Sequence, residues 1–346
     1  MPWIVSIVDR ADPVHRPAPP AVQARKDELL ALWSRHVRPV TGHGDGDFED
    51  FYEQAVRLQA ALNAFGADNV WLHLSSDRDT AVNAGTGERR PAVVLGHLPR
   101  YGAQPSQRHQ DVDMEQARLA ADYYLYDAFL ARAGRRVQLC GFMPDDPAAV
   151  DLRDVLAGFA TDGIRRAFLK TTQIKYAAFP LDLPEGFARG DVGRAVDDVL
   201  DYGAMNLEGR SENLIAQEFV PMEYEYRVFV VGQTVVTAAG CIEEFTPLDN
   251  NGYRFDNQLR RNRQEKTPVE VEPAIAGVLT GFARDAVDAL ALEVPALTDY
   301  VIDVALGADG QPLIVELNGL LNSGLYASRP ELVAAAMAAG ERAVSA

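Results

Sequence analysis

Positive charge is scarce in this chain. Its 33 Lys and Arg stand against 50 Asp and Glu, a formal net charge of −17. Phosphate backbones and anionic headgroups are bound by basic surfaces, so neither a nucleic acid nor an acidic membrane is expected as a partner. A local basic pocket inside an acidic protein is still allowed, because the field in a cleft follows nearby charges rather than the total. Cysteine is nearly absent. Cys140 and Cys241 lie far apart in apolar or mixed runs, which suggests two reduced, buried thiols in a cytoplasmic protein and no disulfide. Long apolar runs are missing as well, none approaching the roughly 20 residues that span a bilayer. The opening MPWIVSIVDR has no basic lead and reaches Asp9 at once, so it is expected to be a first strand and not a signal peptide. All six histidines precede residue 110, which leaves the C-terminal two thirds without an imidazole base or ligand. Lysine is the last scarcity: Lys26, Lys170, Lys175 and Lys266 are the only four, and two of them fall five residues apart.

What remains is ordinary for a globular protein. With 346 residues, 47% hydrophobic and 24% charged, the chain can form two or three packed units with a substantial core. Trp3 to Asp9 predicts a strand, Ala21 to Val37 and Phe48 to Phe65 helices, and Val70 to Leu74 and Ala92 to Leu95 further strands. That order implies an open α/β layer. The glycines of GHGDGD, residues 42–46, lack the preceding strand a dinucleotide loop requires and are assigned to a connector. Asp111 to Ala133 has apolar residues at helical spacing, its tyrosines forming a packed face. Strands at Val137 to Phe142, Ala167 to Lys170 and Tyr176 to Phe179, with helices at Ala148 to Phe159 and Val192 to Leu200, make a small central α/β unit. From Leu214 three β-rich runs follow, then a polar stretch from Asn250 to Lys266, a helix from Pro273 to Leu290 and a final helix from Pro330 to Ser345. The expected division is 1–135, 136–213 and 214–346.

One stretch carries chemistry. In DYVIDVALGADGQPLIVELNG two apolar runs flank Asp309-Gly310, a strong hairpin signal. A two-residue turn there places Asp303 directly opposite Glu316, with Asn318 on the same face, and gives the other face to Ile302, Val304, Leu306, Leu313, Val315 and Leu317. Two carboxylates opposed across a strand pair repel. A hard divalent cation resolves the conflict, and Mg²⁺ (with Mn²⁺ as a substitute) uses one or two carboxylates, completing its shell with water and phosphates.

The pattern D-x12-E-x-N on a late hairpin resembles the metal-binding motif of the ATP-grasp superfamily. The resemblance implies an ATP-grasp fold of α/β (α+β) class with an N-terminal open α/β domain, a central lid subdomain and a C-terminal subdomain carrying the metal hairpin. It implies ATP and Mg²⁺ as cofactors. Under it, AFLKTT is similar to the lid strand whose closing lysine, here Lys170, contacts the nucleotide phosphates, with Lys175 as a second cation. The glycine- and serine-rich loop that usually follows is replaced by TTQIKYAAFPLDLPEG, so Lys175 or the Thr171 and Thr172 hydroxyls are expected to take over part of its role. QEFV resembles the interdomain hinge: Gln217 leads in, Glu218 offers a carbonyl and Val220 an N–H to adenine, and Phe219 packs nearby. Glu225, or Glu223 if the register slips, matches the acid that holds the ribose.

Arg227 shares a strand face with Glu225, and a phosphate or Glu316 is expected to be its partner. The family's transfer-site arginine, two residues before the metal Asp, is Val301 here, so that role is expected to pass to Arg254 or Arg227. Of the loop arginines Arg254, Arg260, Arg261 and Arg263, one or two are expected to reach substrate. NSG, residues 322–324, resembles a substrate-contacting segment.

The implied activity is ATP-dependent amide formation between a small-molecule or peptide carboxylate and an amine. A small-molecule kinase on the same scaffold and a non-catalytic nucleotide-binding regulator stay open. Neither the substrates nor the oligomeric state can be read from the residues; a homodimer is compatible with them.

Overall fold

The computed structural model describes residues 3–7, 20–37, 51–74, 80–91, 114–141, 150–172, 178–196, 214–320 and 323–344. The strand expected at Ala92 to Leu95, the glycine-rich run 42–46, Lys175 and Asn322 lie outside them.

The N-terminal layer holds β1 (Trp3–Ile7), α1 (Pro20–His36), α2 (Phe51–Phe65), β2 (Val70–Leu74), β3 (Thr80–Asn83) and β4 (Arg89–Pro91). β1 and β2 are parallel, and β3 and β4 continue the sheet antiparallel. Leu29 and Trp33 of α1, Val56 and Leu58 of α2, and Val70, Leu72 and Val82 of the sheet form one buried cluster.

Next comes a segment that the residue pattern predicts as a single helix. It forms α3 (Met114–Ala121), a 3₁₀ turn (Tyr123–Leu125) and α4 (Asp127–Leu130). The break is at Tyr126, whose backbone is extended (φ −90°, ψ 127°). The first N–H groups of α4, at Asp127 and Ala128, are capped from outside by the two Glu293 carboxylate oxygens at 2.8 and 2.7 Å. Those orphan donors are satisfied across the tertiary structure instead of by a continuing helix. The interruption turns Tyr123 inward, where it is buried.

The central sheet has the order β6-β5-β9-β7-β8, from β5 (Val137–Gly141), β6 (Val150–Asp151), β7 (Arg166–Thr171), β8 (Ala178–Asp182) and β9 (Leu214–Glu218). It is backed by α5 (Leu152–Thr161), whose N-terminus is capped by the Asp151 side chain accepting from the Arg153 N–H at 2.9 Å. β9 pairs with both β5 and β7. The run from Leu214 therefore belongs to this sheet, and not to the C-terminal unit where its sequence position puts it. The chain leaves the sheet only after Glu218.

Four antiparallel strands build the last sheet in the order β11-β10-β14-β15, from β10 (Met222–Val231), β11 (Thr234–Gly240), β14 (Tyr300–Gly307) and β15 (Pro312–Gly319). A short pair, β12 (Gln258–Arg260) and β13 (Val269–Val271), lies beside it. One face packs on α6 (Pro273–Glu293) through Leu279, Ala283, Val287 and Leu290, and on Tyr123 and Phe129. The other face packs Phe229, Val231 and Val301 against Leu332 and Val333 of α7 (Pro330–Val344). Buried on both sides, its central strands read as nearly continuous apolar runs. The interruptions, Arg227 and Asp303, are the informative positions.

Gly134 ends the α4 region with φ +60°, and a Cβ there would stand 3.0 Å from the Leu313 Cβ. Both the left-handed backbone and the close approach of this loop to β15 require glycine. We expect Gly134→Ala to lower stability by about 1–3 kcal/mol, measured as a shift in the denaturant midpoint at constant slope.

Candidate active site

The geometry of the hairpin differs from the two-residue turn in an instructive way. The Gly307 N–H donates to the Gln311 carbonyl at 2.8 Å, and the Gly310 N–H to the Gly307 carbonyl at 2.9 Å, with Gly310 at φ +75°. The loop is thus three residues, closed by a left-handed glycine. Leu306 faces Pro312 and Val304 faces Ile314, one residue out of the expected phase. Between Val304 and Asp303 the register shifts, and Asp303 faces Glu316 after all. The residue left unpaired is Val315, a β-bulge.

Its consequence for the faces is direct. Ile314 takes the place expected for Val315, in the core with Ile302, Val304 and Leu317, and Val315 is only half-buried. Without the bulge the pairing of Val304 with Ile314 would continue to Asp303 with Val315, and Glu316 would turn toward the core.

Both carboxylates already have cationic partners. Asp303, fully buried, accepts two parallel bonds from Arg227, Nε to Oδ1 at 2.8 Å and Nη2 to Oδ2 at 2.7 Å. This corrects the expected partner of Arg227: β10 sets Arg227 directly opposite Asp303, not Glu316. Glu316 accepts from Lys170 Nζ at 2.5 Å across the gap between the two sheets. Asn318 Nδ2 spans the pair, donating to Glu316 Oε1 at 2.9 Å and to Asp303 Oδ2 at 3.3 Å. The Tyr123 hydroxyl lies 3.4 Å from Lys170 Nζ. Burial works to raise the Glu316 carboxyl, but the Lys170 ammonium and Asn318 amide outweigh it and hold the group below its ordinary range. Burial opposes the Lys170 charge too, yet Glu316 and Tyr123 raise its affinity for the proton. Two acids and two cations leave the cluster neutral, which is what allows it to be buried.

Beside it lies a second group. Glu225 accepts from Arg263 Nη1 at 3.1 Å, and Arg263 Nη2 reaches the Tyr326 hydroxyl at 3.3 Å. The Tyr326 ring lies 5.0 Å from the Arg227 guanidinium. Burial, then the charge of Asp303, raises the Glu225 carboxyl. Burial raises the Cys241 thiol, with Glu225 and Asp303 adding to it, so this cysteine is inert. Glu225 stands where β10 slips against β14, next to Tyr224 at φ 55°. Glu223 is outside this group and pairs with Arg261 on the surface at 3.0 Å.

The other expected residues sort themselves by geometry. Gln217, Glu218, Phe219 and Val220 form the passage from the central sheet to β10, as a hinge requires. There the Glu218 N–H donates to the Arg136 carbonyl at 2.9 Å, the Phe219 N–H to Arg166 at 3.0 Å, and the Phe219 ring is stacked by the Arg166 guanidinium at 4.5 Å. Val220 is half-buried just before Pro221. Arg254 is not brought to the cluster: its guanidinium donates to the Val236 and Val235 carbonyls at 2.6 and 3.1 Å and lies over Phe255. Arg260 is held by Glu244. Of the loop arginines, Arg263 alone joins the group around Glu225. Sequence reasoning missed Tyr123, Tyr326 and Arg135, each placed by a loop or break that no periodicity announces.

Among the described residues no three His, Cys, Asp or Glu side chains are grouped to hold a metal ion. Two opposed carboxylates with one amide nevertheless fit a hard divalent cation that takes its other ligands from water and phosphate. Asp303 and Glu316 would hold it, with Asn318 after its amide turns to present Oδ1.

Residues 189–336 match a family model described as an ATP-grasp domain, the second family of its clade. No curated protein matches the sequence. Among solved structures the chain is similar to the D-cycloserine synthetase DcsG, at 16% identity over 84% of this chain and 94% of that one, with a TM-score of 0.46. It is similar to the D-alanine-D-alanine ligase from Coxiella burnetii, at 14% identity over 85% and 93%, TM-score 0.45. A RimK domain ATP-grasp protein from Sphaerobacter thermophilus matches at 12% identity over 83% and 94%, TM-score 0.45. No helix among the described residues is long and apolar enough to cross a membrane. The region that supplies Arg227, Asp303, Glu316 and Asn318 is an ATP-grasp domain, and the chain is a member of that superfamily.

Proposed function

We propose that the protein is an ATP-dependent carboxylate-amine ligase acting through an acyl phosphate. The observation that supports this most is the neutral cluster in which Lys170 of the central sheet meets Glu316 while Arg227 holds Asp303. In the reaction a substrate carboxylate oxygen attacks the γ-phosphorus, the bond to the β-phosphate oxygen breaks, and ADP leaves. An amine then attacks the acyl carbon, phosphate departs, and the nitrogen loses its proton. Mg²⁺, when bound, neutralises charge on the phosphates and bridges their oxygens.

The chain's own residues position and neutralise. Lys170 exchanges Glu316 for a phosphate as the nucleotide enters, which frees the carboxylate at the moment it is needed. Arg227, fixed by two bonds to Asp303, keeps a positive charge beside the transferring group. No protein nucleophile is required, which agrees with the absence of histidine after residue 110. The hinge at Gln217, Glu218, Phe219 and Val220 takes the adenine. Glu225 and Arg263 lie nearer to Asp303 and Tyr326 than a purely ribose-binding role asks, so we assign them to the border between ribose and substrate. Arg254 is left out of the catalytic set.

Glu316→Ala should lower ADP formation by about 100-fold with an unchanged circular-dichroism spectrum. Incubation with ATP, candidate acids and hydroxylamine tests the reaction class: a hydroxamate supports the ligase, a phosphorylated alcohol indicates a kinase, and tight ATP binding without ADP a regulator. Exchange at Lys170 makes a separate prediction. With the ammonium gone, Lys170→Met should bind Mn²⁺ without nucleotide about tenfold more tightly than the wild type, while its affinity for ATP falls. Equal Mn²⁺ binding by the two proteins in a spin-resonance titration would refute the exchange.

A further inference from the structure

Arg135 precedes β5 and has no part in the sequence pattern that resembles the superfamily, yet its side chain is tied to both halves of the site. Nε donates to Gln217 Oε1 at 2.8 Å. Nη1 donates to the carbonyls of Ala133 at 2.8 Å and Ile314 at 2.7 Å, and Nη2 to the carbonyl of Val315 at 2.7 Å. The guanidinium lies 6.0 Å from the centre of the Phe129 ring. Burial lowers its proton affinity, and Tyr123 and Glu316 restore part of it.

In a regular strand consecutive carbonyls point in opposite directions along the ladder. One guanidinium accepted by both Ile314 and Val315 requires those two carbonyls to converge, as they do at a bulge. The neighbouring backbone adds a further tie, the Ile314 N–H donating to the Arg132 carbonyl at 2.9 Å. Left-handed Gly134 brings the segment this close to β15. The bulge is what sets Glu316 opposite Asp303, and Glu316 is the next residue after the two carbonyls that Arg135 holds.

We infer that Arg135 is a positioning residue that clamps the β15 bulge and thereby holds Glu316 in phase with Asp303, joined through Gln217 to the nucleotide hinge. The inference rests on the ligase reading for what Glu316 binds. A planar fork is needed because three acceptors, on Gln217, Ile314 and Val315, lie on two separate segments, and a lysine ammonium cannot span them.

The test uses the full chain with Mn²⁺ and a non-hydrolysable ATP analogue, reading Mn²⁺ affinity by spin resonance and analogue affinity in chelator by calorimetry. Arg135→Ala is expected to weaken Mn²⁺ in the ternary complex about tenfold or more and to change chelator-phase analogue binding less than about threefold, because the adenine contacts are made by hinge backbone. Millimolar guanidinium should restore Mn²⁺ binding, which a general loss of stability would not show. Arg135→Lys, which keeps the charge, should weaken Mn²⁺ at least about threefold, and it decides the matter if the alanine variant does not fold. Wild-type Mn²⁺ affinity in a folded Arg135→Lys protein overturns the inference, as does parallel loss of both affinities without rescue. If the wild type binds neither Mn²⁺ nor analogue, the ligase reading fails and the inference falls with it; wild-type binding that the Arg135 variants leave unchanged removes the inference alone.

Discussion

A single unpaired residue in β15 governs the site. Side chains alternate along a strand with period 2, so any offset of one residue exchanges the two faces. From the turn as far as Ile314 the hairpin keeps a phase that sends Ile314 into the core beside Val304. Had that phase persisted, Glu316 would be directed at the same core, where an unpaired carboxylate costs several kcal/mol. The Val315 bulge reverses the phase between two positions that must both be satisfied, an apolar one at 314 and an acidic one at 316. Nothing in local propensity asks for a bulge in LIVEL, an unbroken run of good strand and helix formers. Its cause is tertiary: the converging carbonyls find donors on Arg135.

Electrostatics explain how the arrangement survives without a bound cation. Two opposed carboxylates in a sheet buried on both faces are unstable alone. Arg227 and Lys170 neutralise them by different means. Arg227 shares the sheet with Asp303, is opposite to it in the ladder, and makes a two-bond fork, so that pair is a fixed part of the fold. Lys170 arrives from another sheet on a flexible stem and makes one bond to Glu316. A rigid pair and an exchangeable pair thus stand side by side. The asymmetry suits a site in which one acid keeps its geometry while the other changes partner.

Much of this was legible in the sequence, and for identifiable reasons. Asp303, Glu316 and Asn318 were placed together from spacing alone, although two offsets lay hidden in the path: a turn one residue longer than Asp309-Gly310 suggests, and a bulge that cancels it. The correct pair came from the sum of the two, whereas Val315 and Ile314 were exchanged because the faces between turn and bulge depend on each offset separately. Lys170 and the hinge were legible because strand ends and strand-to-strand passages carry chemical residues at recognisable places. The break at Tyr126 was not, since its cap comes from Glu293, 166 residues away from Asp127. Arg254 misled because an arginine in a polar loop reads alike whether it meets substrate or, as here, the backbone carbonyls of Val235 and Val236.

The placement of Arg135 has a wider consequence. It stands on the segment that runs from α4 into the central sheet, so the side chain connects the strand bearing Gln217 with the hairpin bearing Glu316, and Gly134 and Arg132 hold the same segment against β15. Any rotation of the central sheet about the hinge that strains this segment also loads the bulge. Lys170, on β7 of the moving sheet, meets Glu316 from the opposite side. The position of one carboxylate is therefore set from both directions by elements of the sheet that closes over the nucleotide. Closure and metal geometry share a mechanical link that passes through a single strand irregularity, and the strand on the far side of the sheet, β10 with Arg227, is left to keep Asp303 still.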